Sequence, residues 1–156
     1  MAQEIERKFL VRNSSWRDQA QGSLLRQGYI SDRDGQVVRV RREGEQAWLT
    51  IKSKTTGISR GEWEYPIPVH DAEQLLNQVC LQPILEKYRY RLHINGLVWE
   101  IDEFLGLNAP LIVAEVELES EDQSFEKPEW LGQEVSHDRR YANAALISHP
   151  YSQWSE

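Results

Sequence analysis

Met1-Ala2-Gln3-Glu4-Ile5-Glu6-Arg7-Lys8-Phe9-Leu10 opens the chain, and its charged positions decide how the rest is read. Glu4, Glu6 and Lys8 are spaced i, i+2, i+4. Side chains alternate across a β-strand, so these three share one face, and Ile5, Arg7 and Phe9 share the other. Two carboxylates about 7 Å apart beside an ammonium suit a metal-and-anion site: hard divalent cations take oxygen ligands, and phosphate takes Lys or Arg. Taken alone, a solvated strand face is the commoner reading of the stretch. Its recurrence along the chain decides between the two.

Turn and periodicity signals place further strands at residues 24–31, 36–42, 46–53, 60–69, 85–93, 97–104 and 111–119. Asp34-Gly35 and Asn95-Gly96 are hairpin signals, and further turns fall around Gly44 and at Thr55-Thr56-Gly57. A short helix is expected at 16–20 after Asn13-Ser14-Ser15. An amphipathic helix is expected at 72–81, with Leu75, Leu76 and Val79 on one side and Pro83 as its stop. Residues 106–110 read as a loop. The polar stretch 121–131 reads as irregular with a helical turn or two, residues 138–148 as helix, and the tail from 150 carries no assignment. The eight strands have short connections and hence antiparallel neighbours, and eight is a natural number for a closed barrel.

The charges on these strands are like-signed pairs and triplets: Arg39/Arg41, Lys52/Lys54, Glu62/Glu64, Lys87/Arg89/Arg91, Glu100/Asp102 and Glu115/Glu117/Glu119. Each set alternates with apolar residues, as in Trp63 or Tyr88-Tyr90. For one strand, a charged face in water is the ordinary reading. For the set it is not, because like charges at i and i+2 repel and solvated faces mix in Ser, Thr and Gln. The expected fold is α+β and mainly β: an eight-stranded antiparallel closed barrel, with helices packed outside on apolar faces and a tunnel of charges inside. Buried charges must be paired or must coordinate something. The cations suit a polyanion with several phosphates, and the carboxylates suit divalent metals. On this alternation Trp63 and Trp99 point outward.

Composition narrows the class. The 156 residues, 40% apolar with six Trp and six Tyr, are expected to form a single folded domain over 1–156. A net charge of −7 argues against general binding to nucleic acid or anionic membrane. No apolar run spans a bilayer and no signal-peptide pattern is seen. One cysteine, Cys80, excludes an intramolecular disulfide, suits a reducing cytoplasm and reads as a buried structural thiol. The four His residues lack ligand spacing, and His93, His137 and His149 are read as surface or capping residues.

Glu4-Ile5-Glu6-Arg7-Lys8 is an ExExK signature. With Arg39-Val40-Arg41, Lys52, Glu62-Trp63-Glu64, Lys87-Tyr88-Arg89, Asp102, Glu115-Val116-Glu117 and Asp138-Arg139-Arg140-Tyr141-Ala142-Asn143, the chain resembles the CYTH superfamily, or triphosphate tunnel metalloenzymes. The resemblance runs nearly the whole length and looks like the compact bacterial members. It implies a metal-dependent phosphohydrolase, with inorganic tripolyphosphate as first choice of substrate, cleaved to pyrophosphate and phosphate. Thiamine triphosphatase or nucleoside triphosphatase is the alternative, then class IV adenylate cyclase, or a polyphosphate- or nucleotide-binding module without turnover. It implies Glu4, Glu6, Glu62, Glu64, Asp102, Glu115 and Glu117 as ligands for two Mg²⁺ or Mn²⁺ ions. It implies Lys8, Arg39, Arg41, Lys52, Lys87 and Arg89 as the triphosphate clamp, with Arg139 or Arg140 adding a contact. Lys8, Tyr29, Lys52 and Glu6 are the residues expected nearest the chemistry; for Tyr29, ordinary packing is as good a reading. The expected partner is a small-molecule triphosphate, with no nucleic acid and no membrane, and a homodimer is left open. Whether Glu100, Glu119, Lys54 and Arg91 face the tunnel or its rim is also open.

Overall fold

The sheet starts from two tight hairpins. In a computed structural model, which describes residues 3–154, Asp34 and Gly35 have φ of 54° and 80°, and Asn95 and Gly96 of 51° and 78°. Positive φ at both central positions is the type I′ geometry whose twist matches antiparallel strands. These turns join β2 (Ser23–Arg33) to β3 (Gln36–Glu43), and β6 (Leu85–Ile94) to β7 (Leu97–Phe104). The other strands are β1 (Gln3–Val11), β4 (Gln46–Lys52), β5 (Ser59–Pro66), β8 (Ile112–Glu117) and a short β9 (Leu131–Glu134). Helix α1 spans Val69–Gln78 and α2 spans Asn143–Ser148.

All pairings are antiparallel, in the order β5-β4-β3-β2-β6-β7-β8-β1. β1 returns to β5 through Gln3↔Gly61, Glu4↔Arg60 and Ile5↔Ser59, so eight strands close into the expected ring. β9 pairs with the far end of β1, at Phe9 and Val11. Among the described residues no helix is long and apolar enough to cross a membrane.

Three apolar clusters position the charged face. Outside β1 and β6–β8, Phe9, Trp99, Ile101 and Val116 pack under Trp16, Leu118 and Trp130. Trp99 anchors this cluster, with ring centroids 5.5 to 5.9 Å from Trp130, Phe125 and Phe9. Outside β3 and β4, Val40 and Ala47 meet Ala72, Leu76 and Cys80. Gly28 permits this contact, since a Cβ there would lie 2.9 Å from the Cβ of Cys80. The third cluster is on the inner face: Leu85 shares its strand face with Lys87, and Phe104 lies directly opposite Lys87. With Leu111, Val113, Tyr141 and Leu146 it forms an apolar floor beside the charges.

Several expected boundaries need correction. The amphipathic helix runs 69–78 rather than 72–81, because Leu75 O accepts from both Val79 N and Cys80 N and the turn ends there. Val79, placed in sequence on the packing side, is 51% exposed. Residues 121–131 hold no helical turn. Phe125 and Trp130 dock on Trp99 instead, and the chain then runs into β9, a strand that periodicity did not reveal. The helix expected at 138–148 is interrupted at Ala142, whose ψ of 136° separates a 3-10 turn at Arg139–Tyr141 from α2. Helix α1 therefore covers only the β3–β4 side, and irregular segments cover the outer face around Trp99.

Candidate active site

Alternation on the ring gathers charges from all eight of its strands into one cavity of about 870 Å³. Its wall includes Glu4, Glu6 and Lys8 of β1, Tyr29 of β2, Arg39 and Arg41 of β3 and Lys52 of β4. Glu62 and Glu64 of β5, Lys87 and Arg89 of β6 and Glu115 and Glu117 of β8 complete it. Glu100, Lys54 and Arg91 also line it, whereas Glu119 lies in a smaller recess at the rim. Arg139 lines the cavity. Arg140 does not: it pairs with Asp138 at 2.7 Å and lies over the Trp154 ring at 4.6 Å.

Asp102 is the one expected ligand absent from the wall. It sits behind it, 1% exposed, with Lys87 Nζ at 2.8 Å and Arg89 Nε and Nη2 donating at 2.8 and 2.9 Å. Burial alone would raise this carboxyl, but Arg89 and Lys87 override burial and hold it well below the ordinary carboxylate range. In this arrangement Asp102 is the counter-ion of two buried cations.

The remaining cations differ in how far protein neutralises them. Lys52 Nζ donates to both oxygens of Glu4, at 3.0 and 3.1 Å, and lies 3.4 Å from Glu62. Lys8 reaches Glu115 only at 3.9 Å. Arg39, 5% exposed, touches Thr50 at 3.3 Å and Glu64 at 3.5 Å, and its Nε has no partner. Arg41 has no carboxylate within ion-pair distance among the described residues; its Nε donates to Gln27 Oε1 at 3.0 Å. Burial, then Arg39 and Arg89, push Arg41 down to about 9. A buried donor without a partner and a cation crowded by cations are both satisfied by an anion.

The acidic wall shows the converse. Glu6 on β1 is the direct cross-strand partner of Glu117 on β8, and Glu115 on β8 that of Glu100 on β7. Like charges directly opposite destabilise a sheet, so the residues fit a divalent cation between them. Among the described residues no group of three ligands is already gathered at one point, as expected of carboxylates that repel. Burial, then Glu4, Glu62, Glu6 and Glu100, push Glu117 up to about 7, and burial with Glu6 raises Glu115.

A pH dependence follows. The Glu117 carboxyl of the folded chain holds its proton up to about pH 7. In the unfolded chain it releases the proton near its ordinary value of 4.5. Stability of the metal-free protein should therefore fall as pH rises from about 4.5 to 7, because the unfolded state binds fewer protons there. Thermal melts in EDTA should give a higher Tm near pH 5 than near pH 8. Mg²⁺ should raise Tm at pH 8 and far less at pH 5, where protons occupy its ligands. Equal midpoints and equal Mg²⁺ responses at both pH values would contradict the acidic-wall reading.

The CYTH domain profile matches residues 2–147. The chain belongs to the CYTH family. It is 46% identical over its full length, and over 100% of the relative, to an inorganic triphosphatase of Acetivibrio thermocellus. It is 40% identical over 148 residues, 92% of this chain and 95% of the relative, to an inorganic triphosphatase of Nitrosomonas europaea. A crystal structure of an inorganic triphosphatase superposes with a TM-score of 0.64 at 37% identity, covering 94% of this chain and 95% of that one. A putative adenylate cyclase of Bacillus halodurans shares the fold, with a TM-score of 0.62 at 16% identity over 78% of this chain and 84% of that one.

Some residues that line or support this CYTH cavity were not singled out by the sequence. Gln27 is fully buried and bonded to Arg41, and Thr50 donates to Glu64 at 2.9 Å. Both are neutral, so a search for charged positions passes over them, although Gln27 shares its strand face with Tyr29. Asn143 accepts from Lys87 Nζ at 2.6 Å, and only tertiary packing brings the C-terminal segment to that point. His137, read as a surface or capping residue, is exposed and lies on the cavity rim. Trp48 also lines the cavity, because it shares a strand face with Thr50 and Lys52, whereas Trp99 points outward into the core as expected.

Proposed function

We propose that this CYTH protein hydrolyses inorganic tripolyphosphate to pyrophosphate and phosphate, using two divalent ions, Mg²⁺ or Mn²⁺, within one domain spanning 1–156. The observation that carries this reading is the juxtaposition, in one cavity, of facing like-charged carboxylates with cations that protein groups leave unneutralised. The relatives named inorganic triphosphatase support the same assignment.

In the reaction, a water oxygen bonds to a terminal phosphorus as the bond from that phosphorus to the bridging oxygen breaks, and pyrophosphate departs. Arg39 and Arg41 hold phosphate oxygens through their unmatched donors, aided by Arg139 from the 3-10 turn. Lys87 and Arg89, fixed from behind by Asp102, supply positive potential at the same wall. Lys8 lies between the acidic wall and Tyr29 and contacts the phosphoryl group under attack; Lys52, held by Glu4 and Glu62, contacts its neighbour. Glu6, Glu115 and Glu117, which no cation neutralises closely, are the best metal ligands, with Glu4, Glu62 and Glu64 able to join once displaced from their cation or hydroxyl partners. Bound there, divalent ions offset phosphate charge and lower the pKa of water.

The test is phosphate release from tripolyphosphate, ATP, thiamine triphosphate and pyrophosphate, with Mg²⁺, Mn²⁺ or excess EDTA. Tripolyphosphate should be turned over fastest, only with metal, and Lys52→Ala should lower kcat/KM by roughly 10²-fold, as for loss of one close charged contact. ATP or thiamine triphosphate turning over faster would transfer the assignment to ring-bearing triphosphates, for which Trp48 is placed to stack. Binding without turnover under either metal would leave a triphosphate-binding module.

A further inference from the structure

Between two cations of the wall, Arg41 and Lys87, runs a pair of neutral amides that charge pairing does not explain. Gln27 is fully buried. Its Oε1 accepts from Arg41 Nε at 3.0 Å, and its Nε2 donates to Tyr29 Oη at 3.1 Å and to Asn143 Oδ1 at 3.2 Å. Asn143 Oδ1 also accepts from Lys87 Nζ at 2.6 Å. Arg41 on β3 and Lys87 on β6 are thus joined through two amides 116 positions apart in sequence.

We propose that Gln27 and Asn143 are positioning residues that hold Arg41 and Lys87 at the anion subsite without neutralising them. This rests on the triphosphate reading above. A buried polar side chain must find partners for all its groups, and an apolar residue of similar size would fill position 27 at less cost. The groups served by Gln27 are all at the cavity: one cation and one phenol on its wall, and the Asn143 amide that reaches the second cation. An amide oxygen fixes the guanidinium through one donor and brings no charge, so the remaining donors of Arg41 stay available to phosphate. A carboxylate at position 27 would form an ion pair with Arg41 and compete with the substrate. Where Asp102 neutralises Lys87 and Arg89 from the rear, the amide chain sets geometry alone.

The experiment compares wild type, Gln27→Leu, Gln27→Glu, Asn143→Ala, Arg41→Ala and the Gln27→Leu/Arg41→Ala double variant. Tripolyphosphate affinity is read by calorimetry in EDTA, and kcat and KM with Mg²⁺. Gln27→Leu and Asn143→Ala should weaken binding roughly 10- to 100-fold, as removal of a group orienting a ligand does elsewhere, with the loss in KM larger than that in kcat. Gln27→Glu should lose more than Gln27→Leu despite matching the native shape. In the Arg41→Ala background, Gln27→Leu should cost less than threefold, a coupling that a merely structural role would not produce.

Wild-type binding and turnover with both Gln27 variants and Asn143→Ala unchanged would overturn the positioning role and leave the triphosphatase standing. Full additivity of Gln27→Leu with Arg41→Ala would also overturn it. Binding weakened in the expected order, in a protein that turns nothing over, would sustain the role and sink the hydrolase. No binding of tripolyphosphate by wild type would overturn both.

Discussion

Asp102→Ala should cost about 3–5 kcal/mol of stability, the usual penalty for removing one partner of a buried ion pair. For a domain of this size that is a fall in Tm of roughly 6–20 °C. Asp102 is 1% exposed and serves Lys87, which is fully buried, and Arg89, which is 5% exposed. Without it Lys87 keeps only the neutral Asn143, and Arg89 keeps Glu100 at 3.3 Å. Since burial, then Arg39 and Arg89, already push Arg41 down, loss of the Asp102 charge aggravates a cationic cluster. An added polyanion should return part of what was lost, because ligand at a hundred times its Kd adds about 2.7 kcal/mol to the folded state. The sign with pH is also set. The depressed carboxyl stabilises above its ordinary value of 3.8 and loses that contribution as acid protonates it. Melts of wild type, Asp102→Ala and Asp102→Asn, with and without tripolyphosphate, measure this. A loss under about 1 kcal/mol in both variants would mean these cations are effectively solvated, contrary to the burial on which the clamp depends.

Glu117→Gln separates stability from activity. Glutamine keeps the shape and removes a charge that Glu4, Glu62, Glu6 and Glu100 repel. The metal-free variant should therefore melt above wild type at pH 8, and the gap should close as the pH falls below about 4.5, where the native carboxyl becomes protonated in both states. Turnover should move the other way. A metal at a phosphoryl group contributes several kcal/mol, so a loss of about 4 kcal/mol is roughly a 10³-fold fall in kcat. Glu6→Gln, across the strand pair, should act in the same direction on both readouts. Turnover within tenfold of wild type, or a lower metal-free Tm at pH 8, would remove Glu117 from the metal site.

The sequence by itself determined which strand faces turn their charges to the cavity. Period-two alternation with like-signed pairs implied that charges were inside and apolar faces outside, and hairpin signals at Asp34-Gly35 and Asn95-Gly96 implied antiparallel neighbours. These are local properties: alternation follows from strand geometry, and a type I′ turn needs only its two central residues. Identical spacing could not tell which charges meet which, since pairing depends on register across strands far apart in sequence. Glu100 opposite Glu115, and Asp102 behind the wall with Lys87 and Arg89, are products of that register. The covering of the Trp99 face by residues 121–131 and the break at Ala142 were likewise invisible, because docking on the barrel outweighs local propensity there. The choice of Arg139 over Arg140, and the placing of Asn143 beside Gln27 and Lys87, belong to tertiary structure alone. They depend on how the C-terminal segment seats against the apolar floor of Leu85, Phe104 and Leu146, a contact between strands and a helix that no short stretch of sequence contains.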